Sequence, residues 1–257
     1  MTKHRILITN DDGIYAPGIY ALWEAMCSIG DPIVVAPETE QSAVGHAITI
    51  SDPLRVVSVQ RSGGFKGLAV TGTPSDCVKI AIKSILDKKP AILISGINQG
   101  ANVGKNIIYS GTVSAATEGT ILGIPSIAIS LESYRSDDWR GAKKTAVDLA
   151  CYVLQYGVPK GTLLNVNVPY CDPNEIKGIK ITRQGNQYFK DAFDERTDPR
   201  GRTYYWMKGK IIDEDESLDF DGKAVAEKYV SVTPIHFNVT NESYIEKLNK
   251  QFTDERP

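Results

Sequence analysis

Short apolar runs alternate with stretches of helical spacing over the first two thirds of the chain. Ile6-Leu7-Ile8-Thr9 has the continuous character of a buried strand and closes in a polar loop. Ile19, Leu22, Trp23 and Met26 recur at helical spacing within Ile19–Ile29, with Gly30 placed to end that helix. Ile33-Val34-Val35-Ala36 predicts the next strand. Thr73-Pro74-Ser75-Asp76 predicts a helix start, with Thr73 as N-cap, Pro74 at the first helical position and an acid at the third; the helix runs to about Leu86. Ala91–Ile94 is a strand, Val113–Leu122 a helix ended by Gly123, Ile127–Ile129 a strand, Trp139–Gln155 a longer helix, and Leu163–Val166 another strand. Strand and helix in alternation, with near-continuous apolar strands, predict an α/β fold whose mostly parallel sheet is covered on both faces. Ligands of such sheets bind beyond the carboxyl ends of the strands.

The pattern changes after about Tyr170. Ile179–Arg183 predicts a strand, and Asp191–Arg202, charged and carrying Pro199 and Gly201, an exposed loop. Tyr204-Tyr205-Trp206 predicts a hairpin with Gly209 near its turn, and Asp213–Glu216 a solvated acidic loop. Val230–Thr233 is a strand and Glu242–Phe252 a terminal helix. Residues 1–170 thus form an α/β core, and residues 171–257 an extension whose aromatic hairpin is a candidate subunit contact.

The composition adds exclusions. The 257 residues are 42% hydrophobic and 23% charged, which rules out wholesale disorder and a small disulfide scaffold. The 29 basic and 31 acidic residues leave a net charge of −2, so no basic footprint for nucleic acid exists. Four cysteines without a C-x-x-C and only three histidines argue against a His/Cys zinc site. Met1-Thr2-Lys3-His4-Arg5 leads straight into an apolar run, and no window is apolar enough to span a bilayer. A cytoplasmic protein with no membrane partner is expected.

The candidate chemistry lies in four loops. The first strand ends in Thr9-Asn10-Asp11-Asp12-Gly13, where two adjacent carboxylates repel each other and a divalent cation offsets the repulsion; a pair of solvated loop acids is the competing reading. Pro37–Ala43 brings hydroxyls to the corresponding sheet edge, where they suit a hard-oxygen site or an ordinary loop. Ser95–Lys105 is rich in Gly and Asn, so its backbone can approach a ligand closely. It is not a P-loop: the spacing from Gly100 to Lys105 is one residue short, and Asn106 replaces the magnesium-holding Ser/Thr. Tyr109-Ser110-Gly111-Thr112-Val113-Ser114 precedes a helix and suits either phosphate binding or plain N-capping. Carboxylate, hydroxyl and amide oxygens without thiolate favour Mg²⁺ or Mn²⁺.

These same segments resemble the SurE family of survival proteins, which are 5'/3'-nucleotidases. The likeness runs through Ile6–Ile19, Val34–Pro37, Gly72–Val78, Ser95–Asn102, Tyr109–Val113, Leu164–Pro169 and Tyr229–Pro234, in order along nearly the whole chain. It implies a Rossmann-like three-layer fold, one divalent ion per subunit (Mg²⁺ or Mn²⁺), hydrolysis of nucleoside monophosphates, and homodimers or homotetramers built through the carboxyl-terminal extension. The family's metal ligands fall on Asp11, Asp12, Ser42 and Asn98, with Asp11, Asp12 and Asn98 also catalytic. Asn102, Ser110, Gly111 and Thr112 are then expected to hold the substrate phosphate. The chain departs from the family pattern at Thr39 and Gln41, where arginines are common, at Ala43, where glycine is common, and at Lys105, where an acid is frequent; these positions bear on substrate preference. A phosphatase of the haloacid-dehalogenase type is excluded because Gly13 stands where its second Asp is required. The alternative function is a non-catalytic nucleotide-binding Rossmann-like module, although the G-x-G-x-x-G of that class is missing after the first strand.

Overall fold

A computed structural model describes His4 to Asp254. Met1–Lys3, part of the amino-terminal stretch read above, lie outside the described residues. The chain forms, in order, β1 (His4–Thr9), α1 (Pro17–Met26), β2 (Gly30–Pro37), β3 (Val56–Gln60), β4 (Lys66–Val70), α2 (Pro74–Ile80), β5 (Ile92–Gln99), α3 (Gly111–Ile121), β6 (Ser126–Leu131), α4 (Arg140–Tyr156), β7 (Thr162–Val168), β8 (Ile179–Ile181), β9 (Tyr188–Thr197), β10 (Thr203–Ile212), α5 (Asp221–Ala226), β11 (Val230–His236) and α6 (Glu242–Asp254). Nine strands make one sheet in the order β3-β4-β2-β1-β5-β6-β7-β11-β8, and β9 and β10 form a separate ribbon. Pairing from β4 to β7 is parallel; β3 on β4 and β11 on β7 are antiparallel.

Strand periodicity sends alternate side chains to opposite faces. Ile6, Ile8, Ile92 and Ile94 enter the layer closed by α1 and α4, through Leu22, Met26, Ala146 and Val153. Leu7, Val35 and Leu93 enter the other layer, beside Cys77, Val78, Val113 and Ala116 of α2 and α3. Full burial of each large aliphatic side chain is worth about 1.5–3 kcal/mol, so this three-layer packing dominates stability. Helix α3 is buried on nearly all sides. Its small residues permit this: a Cβ on Gly119 would stand 2.6 Å from Ser126 Oγ and 2.9 Å from Leu93 Cδ1.

The topology places the site. β1 lies between β2 and β5. The connection leaving β1 packs α1 on one face, whereas the connection leaving β5 packs α3 on the other. Two connections that part in opposite directions open a crevice at the strands' carboxyl ends. Asp11 and Asp12 follow β1, and Asn98 lies next to the last residue of β5.

Several sequence expectations are corrected. Helix α1 stops at Met26, and Gly30 opens β2 instead of ending the helix; it is small because a Cβ there would lie 2.6 Å from His4 O in the neighbouring strand. Strand β5 continues to Gln99, past the expected loop start at Ser95, because the segment stays paired with β6 across a register shift between Ser95 and Asn98. Most of the expected loop Asp191–Arg202 is strand β9, whose residues pair with β10 from Tyr188↔Ile212 to Thr197↔Thr203. The turn lies at residues 198–202, where the Asp198 carboxylate accepts the Arg200 and Arg202 N–H groups (2.8 and 2.9 Å). Gly209 is therefore mid-strand, opposite Asp191. The Thr73 helix start forms as expected, with a capping box in which Thr73 Oγ accepts from Asp76 N and Asp76 accepts from Thr73 N.

Helix α1 is seated directly on β5: a Cβ on Gly18 would meet Ile97 O at 2.0 Å. Gly18→Ala is therefore expected to cost about 1–3 kcal/mol through overpacking, read as a lower urea midpoint with unchanged slope. An unchanged midpoint would contradict this seating.

Candidate active site

Asp11 is buried at the end of β1, with 5% exposure. Its carboxylate accepts the Thr112 N–H at 3.0 Å and the Thr112 hydroxyl, both at the amino-terminal turn of α3. Gly111 has no side chain because a Cβ there would lie 2.8 Å from Asp11 Cβ. Burial pushes the Asp11 carboxyl up, against the two Thr112 bonds, and Glu40 adds to the rise. Asp12 is pushed up to about 7, chiefly by burial and then by the charge of Asp11, while a hydrogen bond from the Gln99 backbone opposes the rise. Asp12 Oδ2 is buried with no partner among the described residues. A buried carboxylate oxygen without a donor is costly unless a cation meets it. This is the demand a divalent metal satisfies.

Neutral oxygens surround the pair. Ser42, Asn98, Asp11 and Asp12 line one cleft of about 710 Å³. The Asn98 amide commits its N–H groups to Gly100 O (2.7 Å) and Gln99 O (3.4 Å), so its oxygen is the atom those bonds leave unengaged. Ser42 Oγ donates to Glu40 Oε1 at 2.6 Å. The next residue, Ala43, has φ 59, a left-handed conformation that costs a non-glycine residue about 1–2 kcal/mol. The departure expected at Ala43 from the sequence thus carries a backbone cost. Two carboxylates with hydroxyl and amide oxygens match the donor preference of Mg²⁺ or Mn²⁺. Among the described residues no group of three or more His, Cys, Asp or Glu side chains assembles a metal cluster.

The expected phosphate residues divide into two sets. Asn102 and Ser110 line the cleft. Ser110 also caps α3, its Oγ accepting from Val113 N at 3.1 Å. Gly111 and Thr112 pack against Asp11 behind the cleft wall, and Thr112 is fully buried with both its donors spent on Asp11. Their placement makes them supports of the carboxylate.

Other contributors escaped the sequence reading. Buried Asn165 and Asn167 on β7 hold the Asn102 backbone: both donate to Asn102 O (2.9 and 3.1 Å), and Asn167 Oδ1 accepts from Asn102 N (2.7 Å). Asn102 Nδ2 donates to Ser130 Oγ at 2.9 Å. Two asparagines spaced i, i+2 on an otherwise apolar strand were the available signal. Phe189 and Ile211, a cross-strand pair of the hairpin, form one side of the cleft together with Tyr134, whose ring lies over Gly100. No helix among the described residues is long and apolar enough to cross a membrane.

Comparison with known proteins adds a family. The family described as Survival protein SurE matches residues 6–191. The 5'-nucleotidase SurE of Syntrophobacter fumaroxidans is 50% identical over 246 residues, spanning 96% of this chain and 98% of that protein. The 5'-nucleotidase SurE of Natranaerobius thermophilus is 47% identical over 262 residues, 97% of this chain and 100% of that one. The crystal structure of the SurE protein from Aquifex aeolicus is similar at a TM-score of 0.83 and 42% identity, covering 96% of this chain and 99% of that chain.

The Thr112–Asp11 bond has a direct test. In metal-free buffer, Thr112→Val removes a donor from a buried carboxylate and is expected to cost about 1–3 kcal/mol in urea unfolding, with Thr112→Ser recovering most of it. A valine variant as stable as the parent would contradict the role.

Proposed function

The chain belongs to the SurE family, and on that premise we propose that it is a divalent-metal-dependent phosphomonoesterase, a 5'-nucleotidase that converts nucleoside 5'-monophosphates to nucleoside and phosphate. The observation that carries this is the adjacent carboxylate pair at the crevice beside β1, with a buried Asp12 oxygen that no donor among the described residues meets. Asp11, Asp12, Ser42 and Asn98 would hold one Mg²⁺ or Mn²⁺. When bound, the ion supplies a Lewis acid and positive charge at the phosphoryl group.

The chain's own groups do the rest. Thr112 fixes the orientation of Asp11, and the Gly100 carbonyl that of Asn98. Asn102 and Ser110 are read as the groups that orient the phosphate, with Asp11, Asp12 and Asn98 at the reacting centre. In the overall reaction the P–O bond of the ester breaks, the oxygen of a water ends on phosphorus, and a proton goes to the ribose 5'-oxygen. The same chemistry extends to 3'-monophosphates and polyphosphate, which present the same terminal phosphoryl group. A binding module without catalysis is the second reading, and the assay below separates the two.

Tyr204, Tyr205, Trp206 and Met207 are exposed on β10, as is Phe193 on β9. Apolar aromatic surface of this size marks an interaction site, and we read the extension from residue 171 as the subunit contact of a homodimer or homotetramer. The core of residues 1–170 then carries the chemistry, in a cytoplasmic enzyme without nucleic-acid or membrane partners.

Phosphate release from a panel of 5'- and 3'-nucleotides and polyphosphate, with Mn²⁺ or Mg²⁺, is the test. Release is expected from 5'-monophosphates, to vanish in EDTA, and to fall at least about 100-fold in Asp12→Asn, the upper end of what even supporting partners of a ligand contribute. Turnover that survives EDTA would remove the metal role. Nucleotide binding without phosphate release would favour the binding module.

A further inference from the structure

Residues 38–55 connect β2 to β3 without helix or strand, and none of their side chains is buried. Only Leu54, near its carboxyl end, packs part-buried against the hydrophobic core, so apolar burial does little to order the rest of this segment. Irregular segments longer than about 12–15 residues are uncommon in compact domains and are either functional or disordered. Here the order comes from polar pins. Gln41 N donates to Asp11 O (2.7 Å) and Gly45 N to Tyr109 O (3.0 Å). Thr73 Oγ donates to Ala47 O (2.8 Å), and the Thr49 hydroxyl and N–H donate to the buried Asp76 carboxylate (2.6 and 3.0 Å). His46 Nε2 meets Glu118 Oε2 at 2.9 Å. Ser42 and the left-handed Ala43 lie between the first two pins.

Glu118 is the unusual member. It sits in the middle of α3 among small residues and is only 2% exposed. Burial drives its carboxyl up, but the hydrogen bonds from His46 and Lys79, and the Lys79 charge, hold it below the usual carboxylate range. Lys79 Nζ lies 2.7 Å away on α2. Burying an ion pair where an apolar residue would pack is not, in general, a route to stability. Lys79 alone would neutralise Glu118. The second donor, His46, belongs to the pinned segment, four residues beyond Ser42.

We propose that the His46–Glu118 pair is a positioning device: it fixes the Ser42 segment against α3 and so sets the affinity of the site for its metal. The same rigid helix holds Asp11 through Thr112 at its amino-terminal turn and the Ser42 segment through Glu118 two turns later. Two ligand-bearing segments far apart in sequence are thereby referred to one body. Neither His46 nor Glu118 touches the reacting atoms. The inference rests on the reading of Ser42 as a ligand.

The test uses the full chain, stripped of metal, with Mn²⁺ as the probe. His46 is exposed, so His46→Ala is expected to fold with little change in Tm. Calorimetric titration should show Mn²⁺ binding weakened roughly ten-fold, the lower end for partners that support a ligand. Amide hydrogen exchange over residues 41–47 should quicken in the same variant. His46→Gln, which keeps an N–H donor toward Glu118, should restore both. Ser42→Ala is titrated in parallel: weakened Mn²⁺ binding supports the ligand reading, whereas parental affinity overturns that reading and the metal consequence with it. If Ser42→Ala weakens binding while His46→Ala leaves affinity and exchange at parental values, the positioning role alone is overturned. A glutamine variant as weak as the alanine variant overturns it equally, because hydrogen bonding to Glu118 would then not be the cause.

Discussion

Two carboxylates held side by side, one buried and the other half-buried, set the terms for everything near them. Asp11 and Asp12 are consecutive, so the chain cannot separate them, and the crevice that buries them is fixed by the strand order around β1. Their charge must be met from outside the backbone they stand on. Asp11 is met in part by Thr112. Asp12 receives one backbone bond, from Gln99, and its Oδ2 meets no donor among the described residues. A site built this way is complete only with a cation.

The surrounding structure can be read as a set of devices that hold neutral oxygens against that pair. None relies on apolar burial at the point of action. The Asn102 loop hangs on Asn165, Asn167 and Ser130, and the Asn98 amide is turned by two carbonyls. The Ser42 segment hangs on Glu118 and Asp76. Apart from the carbonyls that turn Asn98, each of these anchors is a polar side chain on a strand or helix of the packed core. The hydrophobic layers thus supply rigidity, and the polar anchors transmit it to loops that must stay open to solvent and substrate.

The legible parts of the fold are those whose pattern is dictated locally. The central strands read as apolar runs because both of their faces are covered, and α2 was announced by Thr73, Pro74 and Asp76. β3 and β4 were not anticipated; only Val59 of β3 is buried, at the sheet's edge, so no clear alternation marks it. Most of β9 reads as a loop in the sequence because its ribbon is exposed on both faces and carries charges at positions a covered strand would fill with apolar residues. In the site, the paired acids are visible as chemistry, whereas the reading of Ser42 and Asn98 as ligands rests on the family likeness. Glu118, Asn165 and Asn167 act across long sequence separations, as does Thr112, whose hydroxyl and N–H both donate to Asp11. Such roles depend on which elements meet, which a single sequence does not display.

The central claim is that oxygens of Asp11, Asp12, Ser42 and Asn98 converge on one divalent ion. Anomalous diffraction from a crystal grown with Mn²⁺ addresses it most directly. The account requires a single strong peak per chain, bounded by those four side chains, with Asp12 Oδ2 in contact. A peak elsewhere, or no density between side chains that stand apart, would contradict it.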